Sequence, residues 1–336
     1  MKKYIFLILT LCFTTNIHAD EGMWLVHLLE QNLKNMQSYG FKLTAKEVYN
    51  ENNPSLHDAV VALDFGCTGS MISEQGLMIT NHHCAYDDIH QNSTSENNIL
   101  ENGFWAKNRS EEIPIKGKSV FFLRRVIDVT DEMNAYLDSC KNAGSPVGTM
   151  GMRRVTGNFE KKYSEGTTYE AMCHNVYRGV KWYVFLYDQF KDVRLVGAPP
   201  VSIGAFGGEA DNFKWPQHKG DFALYRVYGD KNGKPAEYSS ENVPIKAKKT
   251  LTISEKGIRD NDFSMMLGYP FSTYRYIPSV GLNEKIEALN PAQHYVKRSI
   301  LDAMRVWMDA DTTVRLKYAS KYFSIANSQE LRKGEW

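Results

Sequence analysis

The segment "SLHDAVVALDFGCTGSMISEQGLMITNHHC", ending at Cys84, constrains the fold more than any other part of the chain. Its apolar runs are too short for an ordinary helix, and glycines at 66, 69 and 76 break them. Short runs rich in Val, Ile and Leu between turn residues predict paired β-strands. The segment closes on His82, His83 and Cys84, and Asp87 and Asp88 follow. That cluster admits three readings: a metal site, half of a catalytic triad, or the end of a buried strand.

Strand signals recur at 118–129, "KSVFFLRRVIDV", and at 221–229, "DFALYRVYG", before the turn "GDKNGKP". Helical spacing is expected within 153–174. It is also expected near the start, where Trp24, Leu25, Leu28, Leu29 and Leu33 recur at helical intervals. After about residue 275 the pattern changes. Ile300, Met304, Trp307 and Met308 share one expected helical face, and a second helix starts near Thr313. The fold class is therefore mainly β with α, in a large unit over 20–275 followed by a helical module over 276–336.

Residues 1–19 carry Lys2 and Lys3, an apolar run from Tyr4 to Phe13, and Ala19 before Asp20, the pattern of a secretory signal peptide. Cleavage near Ala19 predicts a periplasmic or secreted protein with no membrane anchor. Losing Lys2 and Lys3 takes Lys plus Arg from 40 to 38 against 39 Asp plus Glu, a net charge of −1. A near-neutral balance gives no sign of a nucleic-acid partner, and none is expected. Cys67, Cys84, Cys140 and Cys173 remain, and an oxidising compartment predicts two bridges among three pairings. If Gln75-Gly76 is a hairpin tip, residues whose numbers add to 151 face one another, which pairs Cys67 with Cys84 and leaves Cys140 with Cys173 by elimination.

That first bridge would immobilise the backbone beside His83, as a general base requires. In a strand, His82 and His83 point to opposite faces and cannot share one ion. No C-x-x-C or H-E-x-x-H spacing supplies further ligands, so no metal is expected. A catalytic histidine needs a carboxylate to orient it. Asp221, the single acid opening an apolar strand after Gly220, is the best candidate, ahead of Asp87, Asp88 and Asp211 in polar loops.

The stretch 66–84 resembles the first-barrel segment of chymotrypsin-type serine peptidases. Together with "ENGFWAKNRSEEIPIKGKSVFFLRRVIDVT" at 101–130 and "IGAFGGEADNFKWPQHKGDFALYRVY" at 203–228, it is similar to the bacterial dipeptidyl-peptidase 7/11-type serine exopeptidases. The resemblance implies a chymotrypsin-like β-barrel region followed by the start of a helical cap domain. It implies His83 as catalytic base, Asp221 as its triad partner, and Asn212 with Asn327 holding the substrate's free α-amino group. Phe213 stands beside them where relatives often carry Trp. The implied partner is a peptide with a free N-terminus, with no cofactor, and the family often dimerises.

The same resemblance puts the serine in a G-N-S-G segment of a second barrel, and no such segment occurs here: "TGS" at 68–70 and "AGSP" at 143–146 are other contexts. The expectation is therefore an N-terminal portion, inactive alone. The alternatives are a non-catalytic peptide-binding remnant and a metal-dependent hydrolase using His82, His83 and Asp88.

Overall fold

The computed structural model describes residues 23–208, 211–270 and 277–335. The expected signal peptide and its cleavage site lie outside these residues, as does the expected boundary at 275/276. The fold is mixed α/β around one large antiparallel sheet. Its strands are β1 (Val60–Leu63), β2 (Cys67–Met71), β3 (Leu77–Thr80), β4 (Phe104–Trp105), β5 (Ile113–Pro114) and β6 (Val120–Asp128). The rest are β7 (Glu170–Val176), β8 (Lys181–Phe190), β9 (Asp192–Ala198), β10 (Ala223–Gly229) and β11 (Val243–Pro244). They run β4-β9-β10-β3-β2-β1-β6-β8-β7, with β5 added to β9 and β11 to β10.

Five helices matter for the site: α1 (His82–Gln91), α2 (Thr130–Asn142), α3 (Thr149–Ser164), α4 (Asn290–Ala310) and α5 (Thr312–Glu335). The main core gathers Val61, Leu63, Met71, Met78, Leu195 and Tyr225 from the sheet against Ala85 and Ile89 of α1, and α5 adds Ala319. A second cluster packs Met133 of α2 and Val155 and Phe159 of α3 on Cys173, Trp182 and Val184 of β7 and β8. No described helix is long and apolar enough to cross a membrane.

The strands at 118–129 and 221–229 form as expected: β6 buries the consecutive apolar residues 120–123 on both faces of the sheet, and β10 buries Ala223, Tyr225 and Val227 on one face. The region expected to be helical over 153–174 divides. α3 ends at Ser164, Gly166 takes a left-handed backbone (φ 72°), and the chain returns as β7. The opening helix is likewise broken, into a 3₁₀ stretch over Val26–Asn32 and an α-helical turn over Leu33–Ser38. On α4 the buried positions are Asn290, Leu301 and Met308, whereas Ile300 and Trp307 face outward.

The cysteine expectation is half right, and the route to the correct half differs. Cys67 and Cys84 are bridged, with Cα atoms 6.1 Å apart. However, β2 and β3 pair Ser70 with Ile79 and Met71 with Met78, so facing residues sum to 149 rather than 151. Ile72 N–H donates to Leu77 O across a turn in which Gly76 has φ 70°. The strand ends at Thr80, and Cys84 lies in the first turn of α1, so the bridge joins a strand to a helix. Closing this 17-residue separation contributes about 3 kcal/mol by the chain-entropy argument. Cys140 and Cys173 are free thiols and do not pair. Cys173 is buried under α3 on β7, while Cys140 sits near the exposed end of α2, outside that cluster.

Two buried histidines make stability depend on pH. His57 (5% exposed) and His82 (0%) both have pKa values lowered from the ordinary 6.5, chiefly because burial disfavours the imidazolium. Their stabilisation is present above pH 6.5 and is lost as pH falls toward the folded-state values, where the unfolded chain binds protons that the folded chain does not. Each contributes a slope of about 1.4 kcal/mol per pH unit within that window. Asp88, raised by burial, opposes with a single proton. Denaturant midpoints are therefore expected to fall from pH 7 to pH 5, and a flat profile would contradict this account.

Candidate active site

His83 is the second residue of α1, and the chain's preceding residue, Asn81, supplies no side-chain cap to its own helix. The cap comes from 138 residues away. Asp221, at the entry to β10, accepts the His83 backbone N–H through Oδ1 (3.0 Å) and the ring Nδ1 through Oδ2 (2.7 Å). Asn81 Nδ2 donates to the same Oδ2 (3.3 Å) and to the Asp221 carbonyl (3.2 Å). A carboxylate at a helix N-terminus satisfies an orphan donor and faces the positive end of the helix dipole.

Burial alone would raise the Asp221 pKa, but the bonds from the His83 ring and backbone and from Asn81 outweigh it, so its carboxyl titrates below the usual range. An anion held this way keeps the proton on Nδ1 and leaves Nε2 of His83 free to accept one. The His83 side chain is 52% exposed and that of Asp221 25%, so the ring is accessible while its partner is sheltered.

His82 separates from its neighbour because successive helical residues point about 100° apart. It is fully buried, and a Cβ on Gly204 would come within 2.3 Å of its ring. Only glycine allows the single turn Val201–Gly204 to close over that imidazole. Among the described residues, the one grouping with metal-ligand spacing is Cys67, His83 and Cys84, and both sulfurs are consumed in the bridge. Asp88 is engaged elsewhere, by Tyr225 and Lys118. Asp87 accepts hydrogen bonds from Ser320 and Gln91.

Asn212 and Asn327, 115 residues apart, meet: Asn212 Nδ2 donates to Asn327 Oδ1 at 2.9 Å. Both line a cavity of about 410 Å³ whose walls include Tyr86, Leu100, Val201, Met308, Leu316 and Phe323. Tyr86 lies one turn beyond His83 on α1, so one helix carries the histidine and part of the cavity wall, although His83 is not itself a lining residue. Phe213 is not among the lining residues; its backbone is left-handed (φ 59°) and the residue is 53% exposed.

Sequence reasoning missed the seam between α1 and α5. Tyr86 stacks on Phe323 (4.3 Å, 8°), Ser320 Oγ donates to Asp87 Oδ1 (2.8 Å), and His90 Nε2 donates to the Leu316 carbonyl (2.5 Å). Positions 86, 87 and 90 meet 323, 320 and 316, the i, i+3/i+4 rows of two packed helices. The signal was present in α5 as apolar and small residues at helical spacing, but nothing local named α1 as the partner.

The sequence profile of the family Peptidase S46 matches residues 19–336. The chain is 44% identical to "Dipeptidyl-peptidase 7" of Capnocytophaga gingivalis over 338 residues, covering 99% of this chain and 47% of that protein. It is 40% identical to the "Asp/Glu-specific dipeptidyl-peptidase" of Porphyromonas gingivalis, covering 98% of this chain and 46% of that one. Its fold matches the crystal structure of Porphyromonas endodontalis DPP11 in complex with the dipeptide Arg-Asp with a TM-score of 0.88 at 37% identity. That match covers 94% of this chain and 46% of the other. The chain thus spans about half the length of the relatives it matches.

Proposed function

The chain belongs to the peptidase S46 family, and from that premise we propose that it is the histidine–aspartate half of a serine-type dipeptidyl peptidase. The observation that carries the reading is the 2.7 Å contact between His83 Nδ1 and Asp221 Oδ2, on a helix that also walls the Asn212–Asn327 cavity. His83 Nε2 takes the proton of a serine hydroxyl as its oxygen attacks the carbonyl after the second residue of a peptide. Asp221 holds the ring and stabilises the imidazolium. His83 then returns the proton to the leaving amine, the dipeptide stays esterified to the serine, and water activated by His83 releases it.

Asn212 and Asn327 set the length of the product. Asn212 spends an amide proton on Asn327 Oδ1, leaving Asn212 Oδ1 and the second lone pair of Asn327 Oδ1 to accept from a substrate ammonium. The apolar walls take the first side chain. In this reading the serine and oxyanion hole lie outside the 336 residues, and the hydrophobic leader directs the protein to the periplasm or beyond.

The purified chain is expected to bind a free-amine dipeptide amide, followed by NMR shifts at Asn212 and Asn327, and to ignore the N-acetylated form. It is expected to release no fluorophore from dipeptide substrates by itself. Release that His83→Ala abolishes would overturn the half-site reading. Binding without release in a full-length polypeptide carrying the serine would favour a peptide-binding protein instead.

A further inference from the structure

We propose that Asp88 and Tyr225 are positioning residues for the His83–Asp221 pair. The two elements that carry the pair are joined a second time, deep in the core. Tyr225, on β10 four residues after Asp221, is fully buried and donates its hydroxyl to Asp88 Oδ2 at 2.5 Å. Asp88 lies on α1 five residues after His83, about 7.5 Å further along the helix axis at the helical rise. Lys118 Nζ holds the same Oδ2 at 2.8 Å and reaches Asp64 Oδ2 at 3.0 Å. Asp64 accepts the Ser119 N–H at 2.7 Å, next to β6. The network therefore ties α1 to β10 and to the frame of the sheet at once.

The Cys67–Cys84 bridge and the α5 seam hold α1 to β2 and to α5, but neither joins it to β10, the strand that Asp221 opens; a second tie to β10, separated along the axis from the first, fixes the roll and slide of α1 against that strand. The outer tie, at His83, is half exposed and open to water. The inner tie is dry: the side chains of Asp88 and Lys118 are 11% and 10% exposed. A buried hydrogen bond to a charged group is strong and costly to leave unmade, so the inner tie sets where α1 sits relative to β10. The outer contact tolerates little displacement, because a ring nitrogen moved by about 1 Å from a carboxylate oxygen no longer forms the bond. The inner tie thus holds His83 in register with Asp221, without touching either.

Tyr225→Phe removes one oxygen and keeps the ring. In the 336-residue chain, the hydrogen-bonded Nδ1–H of His83 is read directly by ¹H–¹⁵N NMR. Its exchange with water is expected to accelerate at least tenfold in Tyr225→Phe. Tyr228→Phe is the control, because Tyr228 lies on the same strand, is 2% exposed, and donates to Glu112 Oε2 at 2.7 Å rather than to α1. It is expected to leave the His83 signal within twofold. Asp88→Asn keeps an acceptor for the Tyr225 hydroxyl, folds without the buried charge, and is expected to retain the signal.

An unchanged Nδ1–H in Tyr225→Phe, or equal acceleration in Tyr228→Phe, overturns the proposal. Loss of the signal in Asp88→Asn with native circular dichroism also overturns it, since the Lys118 ion pair would then be what matters. These readouts require no hydrolysis, so they stand or fall apart from the dipeptidyl-peptidase reading. A kinetic arm does rest on that reading: in a serine-carrying polypeptide, Tyr225→Phe should lower kcat roughly ten- to a hundredfold with KM unchanged.

Discussion

Replacing His83 with alanine in a full-length polypeptide that carries the serine is expected to lower kcat by about 10⁶-fold, with KM little changed. The size follows from the role: without Nε2 nothing accepts the serine proton at neutral pH, and the leaving amine has no proton donor. Asp221→Asn separates base from orienter. An amide at 221 can donate to Nδ1 of the ring, which selects the tautomer with its proton on Nε2, where an acceptor is needed. The expected loss is about 10⁴-fold, smaller than for His83→Ala because the ring remains.

Asp221 has a second duty, since its Oδ1 also caps α1 through the His83 backbone N–H. Asparagine keeps an acceptor for one of these two bonds, so the fold should persist while the tautomer changes. Steady-state kinetics of both variants, with circular dichroism to show that α1 survives, check the prediction. Equal rates in wild type and His83→Ala would refute the assigned role.

The second large effect concerns the substrate's first atom. Converting both Asn212 and Asn327 to alanine is expected to reduce kcat/KM for a free-amine dipeptide substrate by roughly 10²- to 10⁴-fold. Hydrogen bonds to a charged group are each worth about 1.5–3 kcal/mol, and 1.4 kcal/mol is tenfold. An N-acetylated substrate offers no ammonium and should be cleaved equally slowly by wild type and variant. On the proposed reading the pair acts as a selectivity device, and the measurement that checks it is the ratio of the two kcat/KM values. A ratio unchanged by the double substitution would remove both residues from amine recognition. Each single substitution should cost more than half of the double, because Asn212 and Asn327 orient each other through their own hydrogen bond and so do not act additively.

Much of the site was legible because its signals are local. A histidine followed at once by a cysteine, with a second cysteine one glycine-broken hairpin upstream, required only a turn to bring the sulfurs together. Asp221 stood out as the lone acid at the mouth of an apolar strand. Cys67 and Cys84 nevertheless do not face each other across a continued hairpin. The backbone after Thr80 leaves β3 and enters α1, where Asp221 waits as a cap, so the bridge closes between a strand and a helix. The Cys140–Cys173 expectation failed for the complementary reason. Elimination treats cysteines as a set to be exhausted, but a bridge needs Cα atoms within about 7 Å, and burial placed one thiol under α3 and the other at the exposed end of α2.

By itself the sequence determined where short strands and long helices form, because dihedral preference and apolar spacing act over a few residues. It also singled out His83 and Asp221, two side chains that the fold brings into hydrogen-bond contact. Tertiary structure alone decided that His82 is sealed against Gly204 while His83 faces outward. It decided too that α5 lies along α1, and that Asp88 and Tyr225 meet beneath the pair they hold. Those contacts join residues 137 to 237 apart in the chain. At such separations no local propensity acts, and the meeting is set by the summed packing of the sheet and helices between them.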